Sequence, residues 1–360
     1  MTATTSVDRP VDEQKLQDLL GRIITDLGAT ISAGLVVIGD RLGLYAAMAD
    51  GEPVTAEDLA ERTGTAVAYV RPWLANQAAG GYVEYDPAGD RFFLSPEQAA
   101  ALAIETSPAY FPGSMQLAVA TLRDVPAIQE RFRSGAGFGW HEHDAGLFEG
   151  TERFFRPGYA ANLVDGWLPA LDGVVTKLRA GARVADVGCG HGASTVLMAQ
   201  AFENSTFLGT DYHEGSIRVA RRRAGDAGVQ DRTTFEARDA AELEAGRFDL
   251  ITMFDCLHDM GDPVAAAAAA LRALAPDGTL MLVEPAAGDR LEENLHPLGR
   301  VFYGASALIC TPSSLDQPGA AALGPQAGPA RITAVLRAAG FTAVRVATST
   351  PVNLIFEARR

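Results

Sequence analysis

The chain has 360 residues, of which 48% are apolar and 21% are charged, and 45 acidic against 30 basic side chains give a formal net charge of −15. This composition is typical of a globular protein of about two domains, and it excludes collagen-like and wholly disordered chains. Because an acidic surface repels phosphate groups, we expect no non-specific binding of nucleic acid.

The cysteines and the N-terminal region indicate where the protein resides. Cys189, Cys256 and Cys310 lack the spacing of a disulfide framework or a zinc site, which favours a reducing compartment and no metal. The first 20 residues lack the basic and apolar regions of a secretory signal. The longest apolar stretch, Leu27 to Gly39, has about 13 residues and is too short to span a bilayer. We therefore expect a cytoplasmic protein without membrane contact.

The N-terminal third predicts a long helix followed by a winged helix. Apolar residues recur at helical spacing from Val11 to about Ala49, and both faces are apolar between residues 27 and 48. Such a helix needs partners on several sides, so it is either a core helix or a dimer interface. Residues 53–94 then predict two helices and a hairpin, at 56–63, 66–79, 82–85 and 91–94.

Two residues refine the winged-helix prediction, and its charge bears on its role. Thr55 is a candidate N-cap, and Pro72 predicts a kink or a late start in the second helix. Winged helices often bind DNA, but Gly39 to Ala100 contains ten acidic residues and four arginines. A DNA-binding domain needs several cationic side chains to neutralise the phosphate groups. A structural or dimerising domain is therefore favoured over a DNA-binding one.

Residues 101–180 predict mostly helices and loops. The segment Trp140-His-Glu-His-Asp144 places two histidines two residues apart, which favours histidines that are solvated or at the rim of a pocket over a metal site. Glu149 to Leu168 is rich in aromatic residues, which is compatible with core packing and with a lid over a pocket.

From residue 181 onward the pattern alternates strictly between strands and helices, which predicts a parallel doubly wound sheet. The predicted strands are 183–187, 206–210, 233–237, 248–254 and 279–284, with helices near 192–203, 214–227 and 263–275. Residues 341–348 and 353–358 predict an antiparallel strand pair at one sheet edge. Residues 285–330, rich in Gly, Pro and Ala, predict a long irregular insertion of the kind that is usually functional.

The strongest motif is Arg183-Val-Ala-Asp-Val-Gly-Cys-Gly-His-Gly192, an apolar strand that runs into a glycine turn and then a helix. Glycines allow a tight turn and a close approach of ligand and backbone. A second strand ends at Asp211, about 20 residues later, where an acid binds ribose hydroxyls. Asp186 immediately before the turn is a poor neighbour for a pyrophosphate and suits a ligand that carries an ammonium group. S-adenosylmethionine is such a ligand.

Residues 181–284 resemble the core of class I S-adenosylmethionine-dependent methyltransferases, and the C-terminal strand pair is similar to that family's sheet. The N-terminal region resembles the winged-helix domain through which bacterial small-molecule O-methyltransferases dimerise. The resemblance implies an α/β fold with a doubly wound, seven-stranded Rossmann-like sheet and an N-terminal, mainly helical winged-helix domain. It implies three regions, a dimerisation domain at 1–100, a helical linker and pocket segment at 101–168, and a catalytic domain at 169–360 with a lid insertion at 285–330.

The resemblance also implies a cofactor site at the ends of the first four strands of the sheet. S-adenosylmethionine is the expected cofactor, and S-adenosylhomocysteine is its product. The methionine part would lie on the glycine turn, the ribose on the carboxylate at 211, and the adenine between the next aromatic residue and the acid after the third strand. The implied residues are Asp186, Gly188, Cys189, Gly190, Asp211, Tyr212, Asp239, Ala240, Phe254 and Asp255.

A second motif, Cys256-Leu-His-Asp-Met-Gly-Asp262, provides the catalytic candidates. Since ligands bind at the carboxyl ends of parallel strands, His258 and Asp259 are expected beside the reacting methyl group. His258 matches the histidine of the His-Asp-Trp-x-Asp motif of related O-methyltransferases, although Met260 replaces the tryptophan. Two roles stay open for His258, a general base near neutral pH and a residue that only shapes the site.

The expected reaction is methylation of a hydroxyl on a small, mostly apolar metabolite by a homodimer, in secondary metabolism. The acceptor pocket is expected to include five residues, Phe155, Tyr159, Asn162, Phe302 and Tyr303. The alternatives are methylation of nitrogen, sulfur or carbon, a cofactor-binding protein with other chemistry, and a transcriptional regulator.

Overall fold

The structure is a computed structural model, and it describes residues 10–360. The chain divides into two compact units with the boundary between Val119 and Ala120, inside a helix that extends over Pro112–Arg123. The expected three regions with boundaries at 100 and 168 remain a prediction.

The first unit begins with helix α1 (Glu13–Arg41), whose N-cap Asp12 accepts a hydrogen bond from the backbone of Lys15. The helix ends before Gly43, whose φ of +69° breaks the helical backbone, and a short 3₁₀ turn follows at Ala46–Met48. Most of its apolar side chains are exposed. By length and composition alone α1 is long and apolar enough to span a membrane, so the expectation that no segment is long enough is corrected.

The winged-helix prediction is confirmed. Its elements are α2 (Ala56–Thr63), α3 (Val67–Ala79), β1 (Glu84–Asp86), β2 (Arg91–Phe93) and α4 (Pro96–Leu102). Thr55 forms a capping box at the start of α2, and β1 and β2 pair antiparallel. Helix α3 continues through Pro72, while Trp73 packs edge-on against Tyr45 at a ring distance of 5.0 Å in the core.

The remaining elements are helical up to residue 180, and from residue 183 to residue 285 strands and helices alternate as predicted, with a 3₁₀ turn instead of a helix between residues 237 and 248. The helices are α5 (Pro112–Arg123), α6 (Val125–Ser134), α7 (Ala145–Asn162), α8 (Val174–Ala180), α9 (Ala193–Ala201), α10 (Glu214–Asp226), α11 (Pro263–Ala273), α12 (Pro297–Ala305), α13 (Thr311–Leu315) and α14 (Gly328–Ala338). The strands are β3 (Arg183–Val187), β4 (Thr206–Asp211), β5 (Thr233–Ala237), β6 (Phe248–Phe254), β7 (Leu274–Pro285), β8 (Ala343–Ser349) and β9 (Asn353–Arg359).

The seven strands form one sheet in the order β5-β4-β3-β6-β7-β9-β8. Strands β3 to β7 are parallel, and β9 pairs antiparallel with both β7 and β8, which confirms the predicted fold and its antiparallel edge. Apolar side chains form a separate core on each face of the sheet, as expected for a doubly wound fold. The strand order reverses between β3 and β6, which is where ligands bind in such sheets.

The insertion at 285–330 differs from its prediction as an irregular segment. Helix α12, a π-helical turn at Ser306–Cys310 and α13 form a nearly continuous helical stretch. Irregular chain lies before it, on either side of a 3₁₀ turn at Leu291–Asn294, and again between α13 and α14. The Gly, Pro and Ala content of the segment predicted irregular chain. Helices form nevertheless, because Pro297 and Pro312 lie in the first turns of α12 and α13, where proline is tolerated.

Candidate active site

A cavity of about 670 Å³ opens at the carboxyl ends of β3, β4 and β6 in the second unit. Its size is within the range of about 300–1,000 Å³ that is typical of small-molecule sites. It lies where the strand order reverses, so the sheet topology places it where the sequence predicts a ligand.

The glycine turn after β3 forms one wall of the cavity. The N–H groups of Gly188 and Cys189 donate to the carbonyl of Thr210, at 2.8 and 3.0 Å, which fastens the turn to β4. Gly188 has a φ of +70°, and a Cβ there would lie 2.8 Å from the Cys256 Sγ. Gly190 has a φ of +51°, and a Cβ there would meet no protein atom within 4 Å. Glycine is therefore needed at the first position for close packing, and at the second it leaves room for a ligand.

Asp186 supports this turn from behind and is not among the cavity-lining residues. Its carboxylate accepts hydrogen bonds from the hydroxyls of Ser194 (2.7 Å), Thr195 (2.6 Å) and Thr252 (2.9 Å). Burial raises the pKa of Asp186, and the three hydroxyl donors oppose this shift. Asp186 thus connects β3 to α9 and β6, while Gly188, Cys189 and Gly190 face the cavity.

Asp211 lies at the end of β4 and lines the cavity. One carboxylate oxygen accepts from the Gly190 N–H at 3.0 Å, and the other accepts from the His213 N–H at 2.9 Å. Burial raises the pKa of Asp211, and these two N–H donors oppose the shift. Each oxygen retains acceptor capacity, so the carboxylate can bind two neighbouring hydroxyls such as those of a ribose.

The residues expected around the adenine lie at the same end of the cavity. Tyr212, Asp239 and Ala240 all line it, and Asp239 also accepts a hydrogen bond of 2.8 Å from the Ala241 N–H. Among the described cavity-lining residues, Arg238 is the one arginine or lysine, and it pairs with Glu236 at 2.6 Å. A cavity lined by carboxylates and by a single arginine that is already paired with an acid fits a nucleoside without phosphate, such as S-adenosylmethionine.

Aromatic side chains also line the cavity. Phe155 and Tyr159 on α7 line it as predicted, with rings stacked at a centroid distance of 5.8 Å. Trp140 and Phe148 also line it, with ring centroids 5.8 Å apart, and the sequence analysis did not assign them to the pocket. His141 lies at the cavity wall.

Phe254 and Asp255 follow each other at the end of β6, and both line the cavity as expected. Phe254 packs against Tyr159 at a ring distance of 5.1 Å, which joins the aromatic part of the cavity to the sheet. Asp255 has a φ of +49° and hydrogen-bonds to Tyr159.

His258 and Asp259 lie on a 3₁₀ turn after β6, but they face different environments. Asp259 lines the cavity and accepts a hydrogen bond of 3.2 Å from the Trp140 Nε1. His258 is 4% exposed and is not among the cavity-lining residues. Its Nδ1 lies 2.5 Å from Glu284 Oε2 and its Nε2 lies 3.3 Å from Asp259 Oδ1.

The charge of His258 follows from these two carboxylates. Burial alone lowers the pKa of His258, but Glu284 and Asp259 outweigh burial and raise its pKa well above the usual value. The catalytic role of His258 stays a prediction.

Three residues expected in the acceptor pocket lie elsewhere. The Asn162 side chain donates to the Gly158 carbonyl at 2.9 Å within α7, and Phe302 and Tyr303 lie on α12. None of the three is among the cavity-lining residues. Instead, the helical stretch from α12 to α13 brings Ser313 and Asp316 to the cavity.

Comparison with known protein families agrees with this site. A family model described as a methyltransferase domain matches residues 178–318. A second model, described as an Rv2258c-like winged HTH domain, matches residues 30–104.

Two methyltransferases are among the curated relatives that match at more than 30% identity. The chain is 33% identical over 185 residues to 27-O-demethylrifamycin SV methyltransferase of Amycolatopsis mediterranei, a match that covers 49% of this chain and 60% of that protein. It is 31% identical over 210 residues to nocamycin O-methyltransferase of Saccharothrix syringae, covering 56% of this chain and 70% of that protein.

Solved structures share the fold at lower identity. An O-methyltransferase family protein from Burkholderia thailandensis is 18% identical with a TM-score of 0.68, and the alignment covers 98% of this chain and 99% of that one. Mitomycin 7-O-methyltransferase is 20% identical with a TM-score of 0.66, covering 96% and 100%. With the glycine turn, the strand-end acids and these matches together, the chain belongs to the class I S-adenosylmethionine-dependent methyltransferases.

Proposed function

We propose that this enzyme transfers a methyl group from S-adenosylmethionine to a hydroxyl of a small, mostly apolar metabolite of secondary metabolism. The observation that carries the proposal is one cavity whose lining combines glycine backbone and the carboxylates Asp211 and Asp239 with aromatic rings. We assign the glycines and carboxylates to a cofactor end and the aromatic rings to an acceptor end. The two relatives above, named as a rifamycin-type and a nocamycin O-methyltransferase, favour a hydroxyl acceptor.

The chain's own residues divide the work of binding. We assign the amino acid part of the cofactor to Gly188, Cys189 and Gly190, and the ribose to Asp211, with Tyr212 at the adenine. When bound, S-adenosylmethionine supplies a methyl group that is already activated on a positively charged sulfur. The protein therefore has to align the acceptor oxygen, exclude water and remove one proton.

Alignment is the task of the aromatic end. Trp140, Phe148, Phe155 and Tyr159 present flat apolar surfaces that suit a ring-containing acceptor. Correct placement of two reacting groups supplies up to roughly 7–11 kcal/mol of the barrier reduction. One proton must also be lost. His258, whose predicted role is either a general base or a residue that only shapes the site, lies beside Asp259, which accepts a hydrogen bond from Trp140.

The first test is binding followed by product analysis. Calorimetry should detect S-adenosylhomocysteine binding, and incubation with S-adenosylmethionine and a panel of phenols and alcohols should give products one methyl group heavier by mass spectrometry. Product NMR should place the new methyl group on oxygen. Methylation only of nitrogen, sulfur or carbon would refute the hydroxyl assignment, and a lack of binding would refute the cofactor assignment.

We also propose that the enzyme is a homodimer that pairs through α1. On this helix Leu16, Leu20, Ile23, Leu27 and Ile31 fall on one face at spacings of three and four residues, and each is 41–61% exposed. A soluble monomer rarely leaves a continuous apolar stripe of this length in water, so a second copy of α1 is the occupant that we infer.

Light scattering coupled to size-exclusion chromatography tests the dimer. Ile23→Glu should convert the dimer to a monomer, whereas Thr25→Glu, on the opposite face of α1, should leave the dimer intact. An unchanged dimer in Ile23→Glu would locate the interface elsewhere.

We place the enzyme in the cytoplasm, because its three cysteines are free thiols. The winged helix serves assembly rather than DNA binding in this proposal, because acidic residues outnumber arginines in it. A gel-shift experiment at physiological salt should therefore show no complex with duplex DNA.

A further inference from the structure

Asp255 occupies an unusual position at the centre of the site. It follows β6 directly, at the reversal of strand order, and its N–H donates to the Val283 carbonyl at 2.8 Å. Its φ of +49° is in the left-handed region. This conformation costs a non-glycine residue of order 1–3 kcal/mol, and it persists where the surrounding structure fixes it, often at functional sites.

Two side chains from different elements fix the Asp255 carboxyl group. The Tyr159 hydroxyl on α7 donates to Oδ2 at 3.0 Å, and the Asn353 amide on β9 donates to Oδ1 at 2.9 Å. Asp255 still contributes to the cavity wall, and each oxygen has a further lone pair. The carboxyl group is thus fixed in place and can accept one more hydrogen bond.

The groups around Asp255 set its charge. Burial and then Glu284 on β7 raise the pKa of Asp255 to about 8, while the positive charge of His258 and the hydrogen bonds from Tyr159 and Asn353 act in the opposite direction. A carboxyl group with a pKa near the working pH is well matched to proton transfer.

His258 is less suited to accept a proton in this arrangement. The carboxylates of Glu284 and Asp259 lie 2.5 and 3.3 Å from its two ring nitrogens and both raise its pKa, which favours the protonated ring. It is also not among the cavity-lining residues, whereas Asp255 is.

We propose that Asp255 is the catalytic residue that accepts the proton of the acceptor hydroxyl, and that His258 and Glu284 are positioning residues that set its charge. The inference rests on the proposed hydroxyl methylation. The O–H bond breaks, its proton passes to an Asp255 carboxylate oxygen, and an oxygen electron pair forms the bond to the methyl carbon. The electron pair of the broken sulfur–carbon bond stays on sulfur. Asp255 then releases the proton to solvent.

The experiment compares the wild type with Asp255→Asn, His258→Gln and Tyr159→Phe. We measure kcat/KM from pH 6 to 10, S-adenosylhomocysteine affinity by calorimetry, and the infrared band of a protonated carboxyl group. The wild type should gain activity with a midpoint near pH 8, where the carboxyl band should also disappear.

Each variant has a distinct expected result. Asp255→Asn should lose about 10²–10⁴-fold in kcat/KM, the alkaline rise and the carboxyl band. Its dissociation constant for S-adenosylhomocysteine should be within about 3-fold of that of the wild type, which is a change of less than about 1 kcal/mol in binding free energy. His258→Gln and Tyr159→Phe should keep the rise with a midpoint at higher pH, because each removes a group that lowers the pKa of Asp255.

Three results would overturn the proposal. The first is loss of the alkaline rise in His258→Gln while Asp255→Asn keeps it, which would make His258 the base. The second is weakened S-adenosylhomocysteine binding in Asp255→Asn with unchanged turnover at saturation, which would make Asp255 a cofactor anchor. The third is a carboxyl band that persists in Asp255→Asn. Failure of the wild type to bind S-adenosylhomocysteine would instead refute the proposed function.

Discussion

The stability of the free enzyme should depend on pH through Asp255. Burial and Glu284 raise the pKa of this carboxyl group from 3.8 to about 8 in the folded protein. A group whose folded pKa is raised in this way destabilises the fold when it is ionised. Stability is therefore highest below the unfolded pKa and is lost as the pH rises from about 4 to about 8.

The magnitude follows from linkage. Each pH unit inside this window costs about 1.4 kcal/mol, so the Asp255 contribution should fall by roughly 3–4 kcal/mol between pH 5 and pH 8. Asp255→Asn has no charge to bury and a similar shape, so its stability should not include this loss. The difference in unfolding free energy between the two proteins should shift in favour of the variant by that amount.

Urea unfolding of both proteins at pH 5, 6, 7 and 8 measures this difference, because titrating groups that do not interact with Asp255 cancel. Asp226→Asn, at an exposed carboxylate of α10, is the matched control and should parallel the wild type. Parallel curves for the wild type and Asp255→Asn would refute the raised pKa and remove the electrostatic support for the base assignment.

Two further outcomes test the cofactor end. Asp211→Asn should weaken S-adenosylhomocysteine binding by roughly 10–100-fold, since a hydrogen bond to a charged acceptor contributes about 1.5–3 kcal/mol, and calorimetry checks this. Gly188→Ala should lower the unfolding free energy by about 1–3 kcal/mol, because the new Cβ meets Cys256 and φ is positive at this position. The control Gly158→Ala, in open space on α7, should leave the stability unchanged or raise it, and thermal melts measure both variants.

Much of the fold followed from the sequence because strand and helix periods alternate clearly after residue 181. Residues at strand ends, such as Asp211, Phe254 and Asp255, needed only the rule that parallel strands end at one edge. Strand β7 begins at Leu274, earlier than the predicted residue 279, and its pairing register with β6 shifts between Leu274 and Thr279.

The acceptor end could not be found in the same way. Trp140 lies on a short 3₁₀ turn and Phe148 lies near the start of α7, where the spacing of apolar residues does not say which face meets a cavity. Only tertiary packing decides that. Phe302 and Tyr303 show the converse, since aromatic content near an insertion predicted a pocket that α12 does not provide.

His258 and Asp259 show that a match to a sequence motif does not determine where the side chains point. Successive side chains on a 3₁₀ turn point about 120° apart, so two adjacent residues do not face one cavity equally. Here Asp259 faces the cavity and His258 points to Glu284. The motif alone indicated both residues for the reacting centre, and the local backbone separates them.

The acids of the site connect its stability to its function. Burial raises the pKa of Asp211 and Asp255, so their ionised forms lower the stability of the free protein. Natural proteins retain such local costs where function requires them, and ligand binding to the folded state restores stability. A ligand with positive charge and hydroxyl donors offers these carboxylates further partners beyond the hydrogen bonds that the fold supplies. The same side chains that lower the stability of the fold therefore favour a cationic nucleoside at one end and a proton-donating acceptor at the other.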